Sequence, residues 1–111
     1  DAPPQVSRLT LYGRDPAARD LASILLQGYG RGEHQVGRTV ILTSTTKTGA
    51  TATQFIVTVC LDTSGADVVD KSGKSVKSPD AAPQNTAVHT VEQDLRDGRW
   101  YVMTYQGRRG C

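Results

Sequence analysis

The sequence predicts an α+β domain: one main N-terminal helix packed on a curved antiparallel β-sheet of about four long strands. Three observations point there. A single stretch near the start carries helical periodicity, from Asp15 to Tyr29, and Gly28, Gly30 and Gly32 mark its end. From Arg38 onward threonine and valine dominate and no second helical pattern occurs, which is the composition of pleated, half-buried strands. An Asp97-Gly98 pair then joins two strand-like runs, and both positions tolerate the positive φ of a tight hairpin turn. Helix segregated to one side of an antiparallel sheet is the α+β arrangement.

Element by element, residues 1–15 read as a lead-in. Pro3 and Pro4 fix φ and remove two donors, so they do not sit in a helix interior. Val6 to Tyr12 fits a short helix or a short strand equally well. Residues 16–111 form the domain. Asp15 is placed to cap the helix and Pro16 suits its first position. Leu21, Ile24, Leu25 and Tyr29, with Ala17 behind them, recur at three- and four-residue steps and define one apolar face. The glycines end the helix, because glycine takes a left-handed cap cheaply.

Thr39–Thr46 and Thr53–Leu61 read as long strands. Ala66–Asp70 and Ser75-Val76 flank a small Lys71–Lys74 hairpin. Ser78–Asn85, with two prolines, is a loop. Ala87–Arg96 and Arg99–Gln106 are the last two strands. Strict alternation puts Phe55, Val57, Val59 and Leu61 on one face, and sets Trp100, Val102 and Thr104 opposite Tyr101, Met103 and Tyr105. Both faces therefore carry apolar groups. A strongly curved sheet around a helix does this, and so does a sheet that pairs through its outer face with a second copy.

Composition narrows the function classes. The 111 residues make one domain, long enough to bury about two-thirds of the surface its unfolded chain exposes. A net charge of +2 lacks the basic stripe of a nucleic-acid reader. No apolar run is long enough to span a membrane, and no secretory leader precedes Asp1, so an export signal is expected upstream. Cys60 and Cys111 are too few and too far apart for a zinc site or a CxxC pair. They read as a disulfide in an exported protein, the alternative being two unrelated thiols in a cytosolic chain.

The hairpin Asp97-Gly98-Arg99-Trp100-Tyr101-Val102 with its Gly110-Cys111 ending resembles the C-terminus of small exported actinobacterial proteins of the nuclear-transport-factor-2-like (cystatin-like, polyketide-cyclase-like) α+β cone fold. Val57 to Ser64 is similar to that group's V-x-x-C-x-D-S segment. Val69 to Val76 is similar to its VD-x-x-G-x-x-V hairpin, and Leu25 to Arg38 to its helix-to-strand link. The resemblance covers residues 16–111 and implies a cone-like sheet in which Cys60 pairs with Cys111. It also implies a long opening helix, and here Pro3-Pro4 stands where that helix should end. That helix is expected to be absent, shortened or cut off, which leaves part of the concave face open and favours dimerisation over a sealed catalytic pocket.

No catalytic residue and no metal or cofactor site is assigned. His89 is the candidate for acid–base work, because an unperturbed histidine titrates near neutral pH, with Asp62 or Asp67 as its candidate partner. Spacing places no second catalytic group beside it, so a hydrogen-bonded sheet histidine is the expectation. His34 reads as a solvated link residue, and Asp62, Asp67 and Asp70 as turn formers. Trp100, Tyr101 and Tyr105, with His89, are the candidate ligand or interface residues. The expected protein is an exported or envelope-associated, non-enzymatic binding or assembly module. Its expected partners are a second copy, an envelope protein or a small apolar ligand. The alternatives are a small-molecule carrier, or a His/Asp isomerase- or hydrolase-like enzyme of the same fold. The carrier predicts a pocket of several hundred Å³ lined by aliphatic and aromatic side chains. The enzyme predicts His89 in a closed cavity with a carboxylate in hydrogen-bond reach.

Overall fold

The computed structural model describes residues 5–111; the Pro3-Pro4 lead-in lies outside the described residues. A 3₁₀ segment, Val6–Leu11, opens the chain and helix α1 runs from Ala17 to Gly30. Six strands follow: β1 (His34–Gly37), β2 (Val40–Thr48), β3 (Gln54–Asp62), β4 (Ala66–Val69), β5 (Gln84–Gln93) and β6 (Trp100–Arg109). Four of them form one antiparallel sheet in the order β2-β3-β5-β6, while β1 and β4 pair separately. The fold is α+β, one main helix with a curved antiparallel sheet of four long strands and one disulfide.

Helix α1 begins one residue later than Asp15 suggests. Pro16 occupies the cap position, no side chain caps the helix, and Gly28 and Gly30 are helical. Gly32, at φ 75°, supplies the left-handed residue that ends the run. The segment around Gly13 then pins the helix to the sheet edge. Val102 N–H donates to the Tyr12 carbonyl and Arg14 N–H to the Val102 carbonyl. Ala18, the buried residue of α1, closes over Gly13, where an added Cβ would meet the Val102 carbonyl at 3.3 Å.

Strand β1 forms where a glycine-rich link is expected. Its partner is β4, with His34 opposite Val69 and Gly37 opposite Ala66. Gly37 has φ 77°, and a Cβ there would lie 2.0 Å from the Gly65 carbonyl oxygen, so only glycine lets the two backbones close. The expected Asp97-Gly98 two-residue turn is instead a six-residue loop between Gln93 and Trp100. It is tied by Asp94 N–H to the Arg99 carbonyl and Gly98 N–H to the Asp94 carbonyl.

Register decides which face each side chain takes. Val57 opposes His89, which opposes Tyr105, and Val59 opposes Ala87, which opposes Gly107. Between Thr90–Thr104 and Val91–Val102 the ladder slips by one residue, leaving Met103 unpaired in a β-bulge. The bulge puts Trp100, Val102 and Tyr105 on the inner face, toward α1, where strict alternation separates Tyr105 from the other two. Cys60 lies on the outer face, and its bond to Cys111 (Cα–Cα 5.8 Å) crosses over Thr86 of β5. Thr86 Oγ1 donates to the Gly110 carbonyl at 2.7 Å beneath that crossing.

The interior is thin. Ala18, Val59, Val69, Ala87 and Tyr101 make up the buried core among the described residues. The radius of gyration is 15.5 Å, against about 13 Å for a close-packed chain of this length. The cause is visible in the packing: α1 rests on β6 and the 3₁₀ segment, while β2, at the far edge of the sheet, is exposed at every position.

Candidate functional site

The uncovered region is the inner face of the sheet. Beneath α1 a cavity of about 540 Å³ is walled by Leu9, Tyr12, Leu21, Ile24, Val102 and Tyr105, with His89 on its sheet side. The helix supplies Leu21 and Ile24 because they sit three residues apart on the face turned to the sheet. The bulge at Met103 brings Tyr105 beside His89, the two rings lying 5.3 Å apart.

His89 is half-buried, and its Nδ1 is shielded from water with no hydrogen-bond partner. Burial pushes the imidazole below its ordinary value, with the Thr104 backbone carbonyl pulling weakly the other way. The ring is therefore neutral at pH 7. The cavity does include one carboxylate-bearing residue, Asp20, whose Oδ1 lies 3.5 Å from Arg19 Nε. His89 thus stands at a largely apolar cavity, with no carboxylate hydrogen-bonded to it among the described residues.

The other candidate residues lie elsewhere. Trp100 also faces inward, but it packs on Phe55 at 5.2 Å between ring centres, toward the opposite end of the sheet. Tyr101 points to the outer face and is 4% exposed. Its hydroxyl donates to the Asp97 carboxylate, and the Arg14 guanidinium stacks 3.5 Å from its ring centre. The site thus brings His89 and Tyr105 together, and leaves Trp100 and Tyr101 out of the cavity.

The aspartates are spent on turns. Asp62 Oδ1 accepts from Ser64 N–H and Oγ, Asp70 Oδ1 from Ser72 N–H and Oγ and from Lys74 N–H, and Asp67 Oδ1 from Val68 N–H and Ser75 Oγ. The Ser64 and Ser72 hydroxyls hold the Asp62 and Asp70 carboxyls below the usual carboxylate range. Neither Asp62 nor Asp67 reaches His89. Among the described residues, no cluster of three or more histidine, cysteine or acidic side chains is placed to hold a metal ion. Nor is any helix among them long and apolar enough to cross a membrane.

A second groove of about 570 Å³, with apolar walls and a few charged side chains at its border, lies beyond Tyr105, toward the β1–β4 pair. Lys77 reaches into its floor, donating to the Thr63 and Ala66 carbonyls at 2.9 and 3.0 Å, and Arg108 and Arg109 line its other side. Tyr105 is the one residue that borders both spaces. Its ring lies along Gly107, where a Cβ would sit 2.9 Å from the tyrosine hydroxyl. Sequence reasoning missed Lys77 and the role of Tyr12; the Tyr105-x-Gly107 spacing on one strand face is the signal that points to a ring laid flat along the sheet.

Compared with known proteins, the chain matches no family model and no curated protein.

Proposed function

We propose that the chain is an exported, non-enzymatic binding and assembly module of the nuclear-transport-factor-2-like, cystatin-like kind, working outside the cytosol at the cell envelope and pairing with a second copy through its inner face. The observation that carries the reading is the apolar surface left open there. Leu21 is 45% exposed, Ile24 65%, Ile41 64% and Tyr105 61%. Contiguous apolar surface of this kind marks an interaction site. The Cys60–Cys111 bond supports an oxidising compartment. The half-buried His89, whose Nδ1 has no partner and whose pKa burial lowers, favours binding over catalysis.

Sedimentation velocity at micromolar concentration tests the pairing. The oxidised protein is expected to run as a dimer and Leu25→Glu, at a half-exposed helix position, as a monomer. A sharp monomer for the unaltered chain contradicts the assembly reading.

A second reading, a small-molecule carrier, is favoured by one observation: the cavity of about 540 Å³ under α1, with aliphatic and aromatic walls.

A further inference from the structure

We infer that the inner face is a two-chamber site for a single-chain amphiphile with an anionic head group, its tail lying under α1 and its head in the groove beyond Tyr105. The inference rests on the carrier reading and adds the ligand's chemical class. The chamber under α1 takes an alkyl chain because its walls are Leu9, Leu21, Ile24, Val102 and the ring of Tyr105, with a neutral imidazole on the sheet side. Burying such a chain releases about 0.8 kcal/mol per methylene. The charged side chain bordering that chamber is Asp20, which repels an anionic head group.

Recognition falls to the groove on the other side of Tyr105. Lys77, Arg108 and Arg109 line it against a single carboxylate, Asp67. That carboxylate is already engaged by Ser75 Oγ and Val68 N–H, both at 2.7 Å. Lys77 is held by two carbonyl oxygens, which position its charge without neutralising it. Neither Arg108 nor Arg109 forms an ion pair among the described residues. Arg109 shares the inner face with Tyr105 and Gly107, whereas the register turns Arg108 to the outer face with Thr86, so the Lys77 ammonium and the Arg109 guanidinium are the cations set against one occupied carboxylate, and they favour a carboxylate or a phosphate. Because Tyr105 borders both spaces, a ligand threaded past its ring would bridge apolar wall and the cations of the groove in one molecule.

Isothermal titration of the oxidised protein with decanoate and with decanol, at low ionic strength, separates the parts. Decanoate is expected to bind about tenfold tighter than decanol. The advantage should shrink as salt rises, since exposed charges are screened. The double substitution Arg108→Gln, Arg109→Gln lies at exposed positions and is expected to abolish the decanoate advantage while leaving decanol binding unchanged. Equal binding of both ligands by the unaltered protein would overturn the head-group site and leave the carrier reading standing. Retention of the advantage in the double variant would overturn it as well. Failure of either ligand to bind would remove the carrier reading along with it.

Discussion

His89 carries the clearest pH signature at the scale of single residues. Its ring is pushed below the ordinary histidine value of about 6.5 by burial beside the apolar cavity. The unfolded chain therefore takes up a proton at a higher pH than the folded one. Stability associated with His89 is fully present above about pH 6.5 and is lost as pH falls through the lower folded value. Melting temperatures compared at pH 8 and pH 5 should fall more for the unaltered protein than for His89→Leu. Equal losses would show that His89 is not held neutral by its surroundings. The aspartates titrate in a separate window. Asp62, Asp70, Asp80, Asp94 and Asp97 are held below the carboxylate range by hydrogen bonds from Ser64, Ser72, Ser78, Arg96 and Tyr101. Their contribution is present above about pH 4 and lost below it, so the histidine step is read apart from theirs.

Among the elements, the C-terminal end of β6 depends on a covalent tie. Beyond Arg108 the ladder with β5 ends, and only the Asn85–Gly110 bridge, the Thr86 hydroxyl and the Cys60–Cys111 bond hold the terminus. Closing a loop with a sequence separation of 51 contributes about 4 kcal/mol in the chain-entropy description. Cys111→Ser, or reduction of the native protein, should lower the denaturation free energy by that order and expose the β6 end first in hydrogen exchange. Unchanged stability after complete reduction contradicts the role given to the bond.

How legible the elements were in the sequence follows the strength of each local pattern. The four long strands are readable because β-branched and aromatic residues are concentrated in β2, β3, β5 and the first half of β6. Strand β1 is not, since Val36 is the one large apolar side chain in its four residues and its partner β4 lies some thirty residues away. The bulge at Met103 is invisible to alternation and reverses the face of Tyr105, so the pairing of Tyr105 with His89 needed the register. Leu21 and Ile24 were recognisable as one helical face. That the face would meet a cavity, with Ala18 alone buried, follows from how little of the sheet α1 covers.

At the scale of the whole molecule, the chain is 48 × 31 × 17 Å and more expanded than its length requires. One helix of 14 residues is about 21 Å long, enough to shade one side of the four-stranded sheet and not the other. The uncovered side mixes exposed apolar side chains such as Ile41 with Ser44, Thr46 and Thr48 of β2, and the proposed assembly is the means by which the apolar ones are removed from water. Carbene footprinting of α1 at nanomolar and micromolar protein concentration tests this most directly. The account predicts that labelling of Leu21, Ile24 and Leu25 falls as concentration rises, while Leu95, 78% exposed on the β5–β6 loop, stays labelled. Labelling of the three helix residues that is unchanged across that range would contradict it.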